Sequence, residues 1–235
     1  MRSFSTFIQS TLLATLAAQI AQGSGLKQSP FGVQTFYPSS VPVDLYVMSK
    51  CPDAVRCEEV FGQVLDKVGG IINLNIHYIG EEKEGNLVCK HGEQECRGNK
   101  MQLCAKALYR WHQTPSVWYR FIQCQNEEYQ EIGSDESLEY CALKKDMSYK
   151  RLRECTDGSY GTRLLNQSFT ESKKLAVSTS CTMIINQQVR CVHDSTWKEC
   201  DGGHEVDDFV RDICAVYKTN SPSATLPKGC SSSIL

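Results

Sequence analysis

The 235-residue sequence lacks several features that mark common classes of protein. Its 25 basic and 27 acidic residues leave a formal net charge of -2, so it has no basic excess for binding nucleic acid. It has no apolar run of the roughly 20 residues that a transmembrane helix needs, so no membrane span is predicted. Proline is scarce, and none lies between Pro115 and Pro222, so no cis-proline turn is available in that interval.

The N-terminus has the pattern of a secretory signal peptide. Arg2 precedes the apolar stretch Leu12 to Ala21, and Ala21-Gln22-Gly23 offers a small-residue cleavage site. We therefore expect residues 1–23 to be a signal peptide and the mature protein to be secreted or lysosomal/vacuolar. Asn166, in the sequon Asn-Gln-Ser, is the predicted glycosylation site on this route.

Cysteine is abundant, and all thirteen cysteines lie beyond the predicted signal peptide. In an oxidising compartment most of them should be disulfide-bonded. Because thirteen is an odd number, at least one thiol must be free, held in a mixed disulfide or shared with another chain. The cysteine count therefore predicts both a disulfide-rich domain and a candidate reactive thiol.

The spacing of apolar residues predicts a βαβ unit at the start of the mature domain. Val41 to Met48 has the pattern of a strand, and the segment after Cys51 has helical spacing as far as Gly69-Gly70. Ile71 to Ile79 then alternates as a second strand. A right-handed crossover would make the two strands parallel.

Helical, cysteine-rich segments follow, and then the sheet pattern returns. Helices are predicted at Met101 to Gln113, Val117 to Gln123, Ser137 to Lys144 and Ser148 to Glu154. Strands are predicted next, at Lys174 to Ile185 and Val189 to Val192, with a turn at Asn186-Gln187-Gln188. A last helix is predicted at Val206 to Tyr217. This order predicts an α/β protein with a thioredoxin-like core that a helical, disulfide-rich insertion interrupts.

The expected organisation has four parts besides the signal peptide. They are a lead-in at 24–40, a thioredoxin-fold domain at 41–217, its insertion at about 80–172, and a flexible tail at 218–235 with a possible disulfide at Cys230.

Residues 89–104, CKHGEQECRGNKMQLC, resemble the signature of the gamma-interferon-inducible lysosomal thiol reductase (GILT) family. That signature is C-Q-H-G-x-x-E-C-x-x-N, followed by four residues and C. Seven positions match, and only the Gln differs, as Lys90: the matches are Cys89, His91, Gly92, Glu95, Cys96, Asn99 and Cys104. The similarity extends from about Val41 to Cys214.

The resemblance implies a thioredoxin-like fold with a helical, disulfide-rich insertion. It also implies reduction of protein disulfides in acidic endosomal or lysosomal compartments, or outside the cell. The expected partners are disulfide-containing protein substrates and an external thiol reductant, with no cofactor. On this basis we predict a thiol oxidoreductase.

The candidate active site departs from the family pattern in two places. The usual C-x-x-C falls on Cys51-Pro52-Asp53-Ala54, so Cys51 inherits the role of attacking cysteine and the resolving cysteine has no counterpart. The cis-proline that usually faces the attacking sulfur is also absent, and Cys181 or its neighbour stands about where it would be. These losses leave a rival hypothesis, a catalytically impaired, disulfide-stapled binding protein on the same scaffold.

Cys51 is predicted to start a helix, where unpaired amide groups and the helix dipole stabilise a thiolate. Lys50 would favour the thiolate further, whereas Asp53 would oppose it. The alternative is that Cys51 forms a structural disulfide.

Three ways of resolving a mixed disulfide on Cys51 remain open: an external thiol, Cys57 as a displaced resolving cysteine, or Cys181 from the facing loop. In a regular helix Cys57 would lie about 9 Å along the axis from Cys51, beyond disulfide range. Cys57 is therefore also interpreted as a buried structural cysteine. The alternative for Cys181 is a bridge to the facing strand near Cys191.

The signature cysteines and His91 could also be taken for a zinc site. In a secreted, cysteine-rich chain disulfides are favoured, no metal is expected, and His91 is predicted to order its loop by a hydrogen bond. Local disulfides are guessed between Cys141 and Cys155 and between Cys191 and Cys200, although connectivity does not follow from sequence.

Overall fold

The computed structural model describes residues 40–110 and 116–231, and a five-stranded sheet forms its centre. In chain order the elements are β1 (Val41–Val47), α1 (Pro52–Val68), β2 (Ile72–Tyr78), β3 (Glu81–Lys83), β4 (Asn86–Val88), α2 (Glu93–Tyr109), α3 (Ser116–Asn126), α4 (Asp135–Lys144), α5 (Tyr149–Asp157), α6 (Ser159–Lys174), β5 (Thr182–Ile185), β6 (Gln188–Asp194), β7 (Thr196–Lys198), α7 (Val206–Asn220) and α8 (Lys228–Ser231). The predicted signal peptide and lead-in lie outside the described residues, apart from Ser40.

The sheet has the strand order β2-β1-β5-β6-β7. The central strand β1 pairs in parallel with β2 and antiparallel with β5, which confirms the predicted βαβ unit. Its alternate residues Val41, Val43, Leu45 and Val47 are fully buried, as expected of a strand covered by helices. The tight turn between β5 and β6 has positive φ at Asn186 and Gln187, the backbone twist that suits a two-residue hairpin.

Five helices, α2 to α6, lie between β2 and β5, and two disulfides tie them together. Cys104 of α2 bonds Cys155 of α5, and Cys124 of α3 bonds Cys141 of α4. The guessed bridge between Cys141 and Cys155 is therefore wrong, because each of these cysteines faces a different neighbouring helix. The third disulfide that we expected, at Cys230, is present and joins α8 to Cys214 of α7.

Two elements differ from the sequence-based prediction. Helix α2 begins at Glu93, eight residues before the predicted start at Met101, because its buried face carries polar side chains that hide the helical spacing. Helix α6 was not predicted, and β5 begins only at Thr182. Buried Ser168 and Ser172 of α6 interrupt its apolar stripe, and both bind backbone groups of Tyr78, at the end of β2.

None of the helices within residues 40–110 and 116–231 is both long and apolar enough to cross a membrane.

Glu58 is an acidic side chain buried between α1 and α3. It is 1% exposed, and its Oε2 accepts a 2.6 Å hydrogen bond from Asn126 Nδ2, while its Oε1 has no partner. Loss of hydration raises the pKa of Glu58 from 4.5 to about 7, and the hydrogen bond from Asn126 offsets only part of this rise. The protonated form is therefore favoured in the fold.

This burial predicts a fold that loses stability as the pH rises. Between about pH 4.5 and 7 the folded state binds more protons at Glu58 than the unfolded state, so the free energy of unfolding should fall by about 3 kcal/mol across this range. Glu58→Gln should remove most of that decline. Urea unfolding at several pH values measures it, and Glu59→Gln, at an exposed neighbouring position, is the matched control. An unchanged pH dependence in Glu58→Gln would contradict the assignment.

Candidate functional site

Cys51 lies at the junction of β1 and α1, where the sequence predicted the attacking thiol. It is the N-cap residue of α1, with Pro52 at the first helical position, and its side chain caps no backbone amide. The residue is 9% exposed. All thirteen cysteines lie within the described residues, twelve form six disulfides, and Cys51 alone is free. The spare thiol required by the odd cysteine count is therefore Cys51.

The signature segment holds the turn that carries Cys51. The backbone N–H of Ser49 donates a 3.0 Å hydrogen bond to Oδ1 of Asn99, and the Ser49 hydroxyl donates to the carbonyl of Glu95. These three residues are almost fully buried. The carboxylate of Glu95 binds both the backbone N–H and the ring Nδ1 of His91. Asn99 and Glu95 thus hold the segment just before Cys51 through their hydrogen bonds with Ser49, and we call this set of contacts the clamp.

The remaining signature residues have structural roles. Cys89 and Cys96 form a disulfide beside the clamp, and Cys104 belongs to the disulfide with Cys155. Gly92 has a φ of 84°, a conformation that glycine adopts without steric cost. No group of three or more potential ligands is placed to hold a metal ion within the described part of the chain.

Lys50, which the sequence predicted to favour the thiolate, binds oxygens of the helical insertion. Its ammonium group donates hydrogen bonds to Gln94 Oε1 and to the carbonyl oxygens of Gln130 and Ile132. The charge is therefore directed to the helical insertion, because these oxygens surround it there. Lys50 therefore fastens the turn to the insertion.

A second wall of the site comes from the loop before β5. The Ser180 carbonyl oxygen lies 3.9 Å from Cys51 Sγ, and the Ser180 hydroxyl accepts a 2.9 Å hydrogen bond from the backbone N–H of Met48. The Ser180–Cys181 peptide bond is cis. The loop predicted to replace the missing proline thus faces Cys51.

Cys57 and Cys181 are bonded to each other, with their Cα atoms 6.2 Å apart, and both are fully buried. Neither thiol is free in this state to attack a mixed disulfide on Cys51. The alternative partner for Cys181, near Cys191, is wrong, because Cys181 lies opposite His193 and exchanges backbone hydrogen bonds with it. Cys191 bonds Cys200, as guessed.

Asp53 and His193 form a partly buried polar pair beside the thiol. Asp53 Oδ2 lies 3.9 Å from Cys51 Sγ, while Oδ1 contacts His193 Nδ1 at 2.8 Å and accepts from the backbone N–H of Ser195 at 2.7 Å. The His193 ring packs edge-on against Trp197, with 4.6 Å between ring centroids. The sequence indicated Asp53 but not His193, which lies 140 positions away and matches no motif.

An open groove of about 790 Å³ begins at Met48, three residues before Cys51. Its apolar lining includes Met48, Ile79, Phe169 and Val177. Asn166, the predicted glycosylation site, lies on its wall and is exposed. The groove therefore offers a concave surface close to the segment that carries the thiol.

Sequence comparison relates the chain to one family. The profile described as "Gamma interferon inducible lysosomal thiol reductase (GILT)" matches residues 42–145. The chain is 28% identical over 204 residues to the "Gamma-interferon-responsive lysosomal thiol protein" of Arabidopsis thaliana, which covers 82% of this chain and 76% of that protein. It is 25% identical over 210 residues to the "Gamma-interferon-inducible lysosomal thiol reductase" of Carassius auratus, with 80% and 73% covered.

Solved structures share the fold at low sequence identity. BdbD from Bacillus subtilis, in its oxidised form, has a TM-score of 0.53 and 16% identity, covering 76% of this chain and 88% of that chain. The thiol-disulfide exchange protein alpha-DsbA2 from Wolbachia pipientis has a TM-score of 0.54 and 12% identity, covering 76% and 82%. These likenesses confirm the predicted thioredoxin-like fold with its helical insertion.

The clamp predicts that Asn99→Ala loosens the turn before Cys51. The variant leaves the buried Ser49 N–H without an acceptor, which should cost about 1–3 kcal/mol of stability. Hydrogen exchange at the Ser49 amide should become faster. Asn86→Ala is the control, because the Asn86 amide binds only the Glu84 carbonyl at the surface. Equal effects of the two substitutions would argue against the clamp.

Proposed function

We propose that the chain is a member of the gamma-interferon-inducible lysosomal thiol reductase family, which it resembles, and that it reduces protein disulfides with a single attacking thiol, Cys51. The family assignment makes the chain a thiol-disulfide oxidoreductase. The observation that supports the single-thiol reaction is that Cys51 is the one free cysteine and stands at a helix N-terminus facing the loop before β5.

The reaction needs two external thiols for each substrate disulfide. The Cys51 thiolate attacks one sulfur, forms a mixed disulfide, and releases the other sulfur as a thiolate that takes a proton from solvent. An external thiolate then attacks Cys51 Sγ and releases the second substrate thiol. A second external thiol regenerates Cys51 and leaves as part of the reductant's disulfide. Two electrons thus pass from the reductant to the substrate.

The internal cysteines give the reason for an external resolving thiol. Cys57 and Cys181 form a disulfide with each other. Position 54, where a second active-site cysteine would lie, is Ala54. Ala54 is fully buried. A mixed disulfide on Cys51 is therefore open to attack from solvent and not from the helix below it.

The site of action that we propose is secretory, either extracellular or lysosomal/vacuolar. Six disulfides are typical of an oxidising compartment. The names of both relatives above contain the word lysosomal. The groove beside Met48 would accommodate the polypeptide that flanks the substrate disulfide.

A second candidate function is binding of protein partners without turnover. It is favoured by the two departures from the family pattern, Ala54 and the absent proline. On this hypothesis the disulfides stiffen a scaffold whose thiol does not react. The two hypotheses differ in whether the wild-type protein catalyses disulfide reduction.

Cys51→Ser should abolish the reduction of insulin disulfides by a small-molecule thiol above the uncatalysed rate, because it removes the nucleophile. The double variant Cys57→Ala/Cys181→Ala should keep most of the activity per folded protein, since neither cysteine takes part. Cys214→Ala/Cys230→Ala, which removes a disulfide elsewhere, controls for lost stability. Wild-type protein without activity would favour the binding function.

A mixed disulfide on Cys51 should persist until an external thiol is added, because no internal thiol resolves it. The wild-type protein would be treated with a disulfide-containing peptide without reductant and mapped by mass spectrometry. The expected adduct lies on Cys51 and disappears when a small-molecule thiol is added. Release of the peptide as a free thiol, with a new bond from Cys51 to Cys57 or Cys181, would show instead that these two cysteines are reduced in solution and that one of them resolves the adduct.

A further inference from the structure

We propose that His193 controls the ionisation of Cys51 by neutralising the carboxylate of Asp53, so that it acts as a positioning residue for the thiol reaction. This inference rests on the proposed role of Cys51 as nucleophile. His193 lies on β6, belongs to no motif of the sequence, and makes its contact to the thiol only through Asp53.

The carboxylate of Asp53 lies between the Cys51 thiol and the His193 ring. Asp53 uses one oxygen toward each neighbour: Oδ2 is 3.9 Å from Cys51 Sγ, and Oδ1 is 2.8 Å from His193 Nδ1. The side chains of Asp53 and His193 are only 18% and 12% exposed. Solvent therefore screens their charges less than it would at the surface.

The His193 ring is held in one position. Its backbone N–H donates to the Cys181 carbonyl and its own carbonyl accepts from the Cys181 N–H, at 2.9 and 3.0 Å. The ring edge contacts Trp197, and the Ser195 backbone fixes the Asp53 carboxylate from the other side. The hydrogen bond between the two side chains therefore needs no rearrangement when His193 gains or loses a proton.

The other charged groups around the pair have partners of their own. Asp194 pairs with Lys198 and also faces Lys90 and His193 itself. His204 stacks on Trp197 and lies near Glu205, Arg56 pairs with Glu59, and Lys50 binds the insertion. Among the described groups, His193 is thus the titratable side chain bonded directly to the carboxylate beside the thiol.

The expected effect follows from the signs of the charges. A negative Asp53 disfavours a second negative charge on Cys51 Sγ at 3.9 Å. When His193 is protonated, the pair is neutral overall and this repulsion is largely cancelled. Protonation of His193 in acid therefore increases the thiolate fraction of Cys51 relative to a site without the imidazolium. Both protons exchange with solvent, and no covalent bond changes.

The test is the rate at which iodoacetamide, a neutral reagent, alkylates Cys51 in the native protein between about pH 4.5 and 9. The wild type should show two inflections, one from His193 and one from Cys51. His193→Gln keeps a neutral hydrogen-bond partner for Asp53, so it should show one inflection, react about three- to tenfold more slowly near pH 5, and match the wild type near pH 9.

Asp53→Asn tests whether the effect passes through the carboxylate. It should react about three- to tenfold faster than the wild type near pH 7.5, with one inflection. Adding His193→Gln to it should then have a smaller effect near pH 5 than in the wild type, because the carboxylate that binds the imidazolium is gone. His204→Gln is the matched control, because His204 stacks on the same Trp197 without touching Asp53, and it should keep both inflections.

The outcomes separate this inference from the proposed function. A His193→Gln profile that keeps both inflections, or is slowed equally at every pH, would overturn the role of His193 while leaving Cys51 as the nucleophile. An additive effect of His193→Gln in the Asp53→Asn background would also overturn it. A native wild type whose Cys51 is not alkylated at any pH would overturn both proposals together.

Discussion

The position of the Cys51 thiol depends on two buried backbone hydrogen bonds in the turn before it. The N–H groups of Met48 and Ser49 follow the last residue of β1 and precede α1, so neither belongs to a sheet ladder or a helix. Ser180 satisfies the first and Asn99 satisfies the second. Buried amides without partners are costly, so both acceptors must be in place for this turn to form.

These acceptors come from opposite sides of the site. Asn99 belongs to the helical insertion, and Ser180 belongs to the loop that leads into the second half of the sheet. The Cys57–Cys181 disulfide joins that same loop covalently to α1, the helix that Cys51 caps. The wall facing the thiol is therefore fixed by one covalent bond and several hydrogen bonds. The two hydrogen bonds to the turn hold the Cys51 sulfur in place, and the disulfide adds stability to the loop that faces it.

The sequence predicted the parts of this site that depend on local pattern. The strand, the helix start and the thiol at Cys51 follow from spacing within 30 residues, and the signature follows from spacing within sixteen. His193 could not be predicted, because its role arises only when β6 is placed beside the start of α1. Likewise, the partner of Cys57 lies 124 positions away, and the register that puts Cys181 opposite His193 is set by pairing across the sheet. Helix α6 was not predicted for a different reason: its buried serines bind backbone groups and interrupt the apolar pattern.

Helix α1 carries two protonation-dependent features that point in the same direction. Glu58, on its buried side, has a pKa raised to about 7 by loss of hydration, so acid favours the folded chain. At the N-terminus of the same helix, the Asp53 carboxylate opposes the thiolate unless a protonated His193 neutralises it. The first feature concerns stability and the second concerns reactivity, and they rest on different residues. In mild acid the chain is therefore most stable, and protonated His193 offsets part of the loss of thiolate that the lower pH itself causes.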